Sequence, residues 1–211
     1  MKLSLILSVV LATQLLFTSC GGSDFKEVTI GKQVWMKENL KVDKFQNGEP
    51  IPEAKTEAEW KAAGRNRKPA WCYYENNAAN GTRYGILYNW YAVNDPRGLA
   101  PEGYHIPSDA EWTTLTDFLG GPSIAGTKMK STSGWTRSRN GTNSSGFSGL
   151  PGGFRYGSGS FSYIGGYSSW WSSSVYEEGR AWYRNLNSNS NLRRSKDYTM
   201  DCGFFVRCLK D

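Results

Sequence analysis

Residues able to do chemistry are few in this chain, and they are scattered. There is one histidine, His105, three positions before Ser108-Asp109-Ala110-Glu111. An imidazole beside a helix start can act as a general base. No nucleophile motif accompanies it, so the preferred reading is a structural ring held by backbone groups. The sequence has no G-x-S-x-G, no H-E-x-x-H, no phosphate-binding glycine loop and no standout carboxylate pair. A single histidine also argues against a His-rich zinc site. Glu75-Asn76-Asn77 and Asn94-Asp95 can offer hard oxygens to Ca²⁺. Asn and Asp are equally the usual turn formers, and few carboxylates converge, so the turn reading is preferred. No metal, no other cofactor and no catalytic residue is expected.

Aromatic residues are the more promising material. Tyr163, Tyr167, Trp170, Trp171 and Trp182 can form a platform that stacks on sugar rings, or they can fill the core and staple loops. Trp170 and Trp171 are consecutive, so in a strand they point to opposite faces. One is expected inside; the other is expected to join Tyr163 or Tyr167 on a loop surface. Tyr163, Tyr167, Trp170 and Trp171 are therefore the candidate ligand-binding residues. Asn187, Asn189 and Asn191, alternating with serines, read as a solvated turn that can also hydrogen-bond a glycan.

The element that must organise these residues starts at Ser108. Ser108 and Glu111 have capping-box spacing, and Asp109 and Glu111 place negative charge in the first turn. Trp112, Leu115, Phe118 and Leu119 recur at helical spacing, and Gly120-Gly121-Pro122 stops the helix. Thr56-Glu57-Ala58-Glu59-Trp60 repeats the device and predicts a helix over 56–63. Val28 to Met36 reads as a hairpin turning at Gly31-Lys32, with residues 40–45 extending the sheet and Asn47-Gly48 turning. Residues 70–74 read as a strand, 75–83 as a polar loop closed by the turn pair Asn80-Gly81, and 85–93 as a helix in preference to a strand. Residues 121–169 read as long ordered loops pinned by rings, with brief strands near 146–150 and 153–156. Four segments from 170, 181, 192 and 203 onward read as an antiparallel meander. In the last of them Phe204, Val206 and Cys208 face one side, and Phe205 and Arg207 the other.

That last strand bears on the cysteines. Cys202 and Cys208 would lie about 20 Å apart along an extended strand, well beyond disulfide reach. Cys208 is expected to pair with Cys72, on its own apolar strand, leaving Cys202 a spare thiol.

Composition sets the setting. Of 211 residues, 24 are Gly, 12 Tyr and 9 Trp, which suits a loop-rich fold with aromatic anchors rather than a helical bundle. The formal charge of +6 is mostly dispersed and reads as solubility. Met1-Lys2 followed by an apolar run to Phe17 reads as a signal peptide, too short for a span of about 20 residues. Phe17-Thr18-Ser19-Cys20 resembles a bacterial lipobox, with Phe17 where Leu is commoner. The chemistry implied is diacylglycerol transfer to the Cys20 sulfur and cleavage before it. Residues 1–19 are then the signal, 20–27 a tether and 28–211 the domain. Partners follow: the membrane through an N-terminal lipid and no nucleic acid.

Taken together these segments resemble the Fibrobacter succinogenes major paralogous domain family. The resemblance covers most of the chain from Val28. It rests on Ile30 to Met36 with Glu38-Asn39-Leu40, on Trp71 to Tyr74, and on Tyr84-Gly85 through Val93. It continues through Gly103 to Trp112, Gly146 to Gly153, Trp170 to Ser174, and Gly203 to Cys208. Asn77 stands where the family often has Asp, and Cys202 is an addition to the pattern. The resemblance implies a lipoprotein or cell-surface module of Bacteroidetes-type bacteria, held at the outer membrane or cell surface. Residues 106–112 are also similar to the helix start of formylglycine-generating-type domains. That likeness implies an α+β, C-type-lectin-like fold of short helices on a small antiparallel sheet with long loops. Three functions are open on this basis. The leading one is a non-catalytic binding module for a glycan or surface protein. The others are a copper oxidase using C-terminal cysteines, and a purely structural surface protein.

Overall fold

Gly31 adopts φ +65°, the left-handed conformation a two-residue hairpin turn needs. It joins β1 (Glu27–Ile30) to β2 (Gln33–Met36) in antiparallel register, with Val28 opposite Trp35. The computed structural model describes residues 25–136, 138–187, 189 and 191–211. Within these residues the fold is α+β, with short helices packed on small sheets.

Both capping boxes form. Helix α1 (Glu57–Arg65) is capped by Thr56 with Glu59 reaching back. After strand β3 (Trp71–Cys72) comes α2 (Ala78–Tyr84), where the sequence suggested a polar loop. Asn80-Gly81, a turn signal in sequence, is here helical. Gly81 is required because a Cβ would sit 2.1 Å from the Tyr73 ring. The expected helix over 85–93 divides into β4 (Leu87–Tyr88) and the short α3 (Trp90–Val93), capped by Asn89. Residues 40–45 do not extend the sheet; only Lys44 bridges, to Pro50.

Strand β5 (Tyr104–His105) leads into α4 (Asp109–Phe118), capped by Ser108 as its sequence demands. Trp112 and Leu115 are fully buried, while Phe118 is 63 % exposed and lies over the Gly31 turn. Gly121-Pro122, which reads as a stop, also starts α5 (Pro122–Met129), with proline in the first turn. Strands β6 (Gly152–Arg155), β7 (Phe161–Ile164), β8 (Ser168–Glu177), β9 (Arg180–Leu186) and β10 (Leu192–Ser195) form one sheet in the order β10-β9-β8-β6-β7. Strand β11 (Leu209–Lys210) joins a second, β1-β2-β11-β5.

Between the sheets runs the extended segment 203–208. It is a regular strand nowhere, because it changes partner at each step. Gly203 bridges Arg155, Phe204 bridges Tyr88, and Phe205 bridges Trp170. Val206 O then accepts from Leu40 N at 2.8 Å, and Cys208 O from Met36 N at 3.0 Å. Residues 202–209 are all buried. The alternation expected of it holds. Phe204, Val206 and Cys208 enter a first core with Trp171 and Tyr183, and Phe205 enters a second with Trp35, Trp112 and Trp170.

That parity corrects the disulfide. On β3, Trp71 belongs to the first core and Cys72 to the second, while Cys208 belongs to the first. Cys72, Cys202 and Cys208 are free, buried thiols, so the expected Cys72–Cys208 bond is not formed.

Trp112 and Trp170 share the second core but differ in one respect. The Trp170 indole N–H donates to Asn39 Oδ1 at 2.8 Å, whereas the Trp112 N–H has no partner. Trp170→Phe should destabilise the fold more than Trp112→Phe by about 1–3 kcal/mol, since one change loses a bond and the other relieves an unmet donor. Equal shifts in urea midpoint would show that Trp112 has a solvent partner.

Candidate functional site

Strands β6 and β7 are joined by a tight turn in which Tyr156 N donates to Ser160 O at 2.8 Å. The chain then reverses again, with Gly166 N and Tyr167 N both donating to Tyr163 O at 3.0 Å. This second reversal holds Tyr163 at φ +65°, a conformation costly for a residue with a side chain. The residue is 58 % exposed. It stacks on Phe154 with centroids 5.7 Å apart and planes 17° apart, and lies 5.9 Å from Tyr167. Burial raises the Tyr167 phenol to about 12, so that hydroxyl stays neutral.

The two tyrosines line an open groove of about 450 Å³ with Thr136, Arg139, Ile164 and Asn187. The polar members come from loops far away in sequence, and a buried lysine ties those loops together. Lys130 Nζ donates to Asn189 O at 2.6 Å and to Arg139 O at 3.5 Å. It also sits 4.7 Å above the Trp135 ring. Burial lowers its pKa to about 8. Thr136 N donates to Gly165 O at 2.8 Å, which closes the groove against the Tyr163 turn. The spacing of the aromatics pointed to Tyr163 and Tyr167; nothing in the sequence pointed to Thr136 or Arg139.

Trp170 and Trp171 do not join this surface. They point to opposite faces as expected, but both indoles are fully buried. Trp170 packs edge-on against Phe147, and Trp171 lies 4.3 Å from Phe204 and donates to Tyr88 O at 2.8 Å. The β8 sheet is covered on both sides at this point, so the expectation of one solvent-facing indole is wrong.

The other sequence candidates are committed to local structure. Asn77 caps α2 by accepting from Ala79 N at 2.9 Å, and the Asp95 carboxylate is held by Arg97 at 2.8 and 2.9 Å. No group of three metal-ligating side chains exists among the described residues. Asp109, expected only to complement the helix dipole, binds buried Arg184 at 2.7 Å and Arg194 at 2.7 Å, fastening α4 to β9 and β10. Cys20 and residues 1–24 lie outside the described residues, as do Ser188 and Ser190 of the polar turn.

His105 is engaged at both nitrogens. Nδ1 meets Asp211 Oδ1 at 2.7 Å and Nε2 meets Glu111 Oε1 at 2.9 Å. The other Glu111 oxygen accepts from Ser108 N at 2.7 Å, so one carboxylate both caps α4 and clamps the ring. Facing two carboxylates, the ring in its protonated form donates twice and keeps no lone pair for a substrate.

What this arrangement defines is an α+β domain with an aromatic groove built from loops and a polar rim beside it. The family described as the Fibrobacter succinogenes major domain matches residues 28–210, and the chain belongs to that family. No curated protein and no solved structure matches the chain. No helix among the described residues is long and apolar enough to cross a membrane.

His105 has a measurable signature. Burial alone would pull its pKa down, but Asp211 and Glu111 outweigh that and raise it above 6.5. A raised folded pKa means protonation favours the folded state. The contribution should be full below about pH 6.5 and lost as pH rises through the raised value. His105→Gln should flatten the melting midpoint between pH 6 and 8 relative to the unaltered protein. Parallel profiles would show the clamp to be energetically silent.

Proposed function

We propose that this protein is a lipid-anchored envelope module that binds a surface ligand, a glycan foremost, in the Tyr163–Tyr167 groove, without catalysis. The observation that carries the reading is Tyr163. An exposed ring is held in a costly backbone conformation, stacked from behind on Phe154, with Tyr167 beside it. Strain of this kind collects at functional sites. A flat aromatic face next to Thr136, Arg139 and Asn187 suits a sugar, whose ring offers C–H groups to the tyrosine and hydroxyls to the polar rim. The C-type-lectin-like fold belongs to the same proposal, supported by short helices, small antiparallel sheets and long ordered loops. Anchoring is supported by the lipobox-like Phe17-Thr18-Ser19-Cys20, and the cell surface or outer membrane is the corresponding location.

The copper-oxidase alternative needs two reactive, accessible thiols. Burial raises Cys202 to about 11 and Cys208 to about 12. Thiols so buried and so weakly acidic are poor metal ligands, which favours the binding module.

Two experiments test the proposal. Cys20→Ser should move the protein from the membrane fraction to the soluble fraction; retention after a high-salt wash would refute lipid anchoring. That soluble protein on a glycan array should show selective binding. Adding Tyr163→Gly should then weaken binding at least tenfold, about 1.4 kcal/mol, with little change in melting midpoint, because relief of strain offsets the lost ring contact. Unchanged binding in the Tyr163→Gly protein would place the ligand elsewhere.

A further inference from the structure

Arg207 is buried to 2 % exposure, among the most deeply buried cations of the described residues. A guanidinium in such a place ordinarily meets a carboxylate. This one meets only neutral oxygens. Nε and Nη2 donate to Asn39 Oδ1 at 3.1 and 2.6 Å, and Nη1 donates to Phe147 O. Asn39 Oδ1 also takes the Trp170 N–H at 2.8 Å, so it is shared among three donors. Of the five N–H groups of a guanidinium, these bonds use three.

Arg207 lines a pocket of about 230 Å³ whose rim carries Lys37, Lys41 and Arg83. The single carboxylate there, Glu38, is held by Lys41 at 3.2 Å and Lys26 at 3.5 Å. Lys37 and Arg83 have no ion pair among the described residues. The carbonyls at the end of α2 would repel an anion, but two of them are already engaged. Thr82 O accepts from Lys41 Nζ at 3.1 Å, and Tyr84 O accepts from Asn39 Nδ2 at 2.7 Å. The pocket therefore offers surplus positive charge beside a fixed guanidinium that keeps two N–H groups beyond these bonds.

We propose that this pocket is a second, independent binding site for a small oxyanion, received by the Arg207 guanidinium and the rim cations Lys37 and Arg83. A carboxylate or phosphate oxygen pair matches the planar fork of arginine, and partial burial protects the attraction from screening by salt. The same chemistry can come from an acidic sugar or from phosphate, and the pocket's size suits a single such group.

The test uses the full chain in a nonionic detergent. Sodium phosphate and sodium glucuronate are titrated separately, with ionic strength held constant by sodium chloride, and both heat of binding and melting midpoint are read. At least one probe should give saturable binding and a raised midpoint that chloride does not reproduce. Saturation by phosphate alone identifies phosphate as the source, by glucuronate alone an acidic sugar, and by both a general oxyanion site. The exposed rim variant Lys37→Gln/Arg83→Gln should fold normally and bind about tenfold more weakly. Arg207→Lys, which keeps charge but loses the fork, should weaken binding as well. Absence of saturable binding by either probe, or equal affinity in the rim variant, overturns the proposal and leaves Arg207 a strut between Asn39 and Phe147.

Discussion

A buried peptide group must find a hydrogen-bond partner inside the protein, and residues 203–208 impose that requirement on most of the fold. Each step of the segment is met by a different element: β6 at Gly203, β4 at Phe204, β8 at Phe205, the loop after β2 at Val206, and β2 itself at Cys208. Close packing sharpens the constraint. A Cβ on Gly203 would meet the Trp60 indole at 2.9 Å, and one on Gly152 would meet the Phe205 ring at 2.4 Å. The sheets thus owe their relative placement to one shared ribbon, with a core on each side of it.

Local signals were legible where one chemical group dictated the outcome. The Ser108–Glu111 and Thr56–Glu59 spacings specify caps, Gly31 specifies a turn, and the alternation of residues 204–208 specifies two faces. Signals with two physical meanings were misleading. Asn80-Gly81 favours a turn, yet Asn77 starts a helix three residues earlier and the Tyr73 ring leaves room only for glycine. Gly121-Pro122 ends one helix and begins another. The cysteine pairing depended on which core each strand residue enters, a matter of tertiary parity that Cys72 and Cys208 do not reveal by themselves.

The candidate groove was legible in part for similar reasons. Spaced tyrosines show that rings hold the loops, but not that the backbone at Tyr163 is left-handed. Arg139 and Asn187 become neighbours of those rings through the loops around Lys130, whose ammonium binds the Asn189 and Arg139 carbonyls from within. Long segments without regular structure are ordered here by such contacts: the Trp135 indole N–H to Gly149 O at 3.1 Å, and Arg155 Nη1 to Ala54 O at 2.8 Å, are further examples. A loop pinned at several internal points can present a site with little loss of entropy on binding.

The ribbon at 203–208 also governs how the chain can come together in time. Its partners include Met36, Leu40 and Tyr88, and Trp35 pairs with Leu209, so the decisive contacts close loops spanning most of the sequence. Such a topology has high contact order and folds slowly. Neither core can be completed until residues 203–209 are in place. Until then the aromatic faces of β2, β4 and β8 lack their cover, and the chain stays open and vulnerable to aggregation. Late closure concentrates the chain's need for protection into the interval before its C-terminal residues dock.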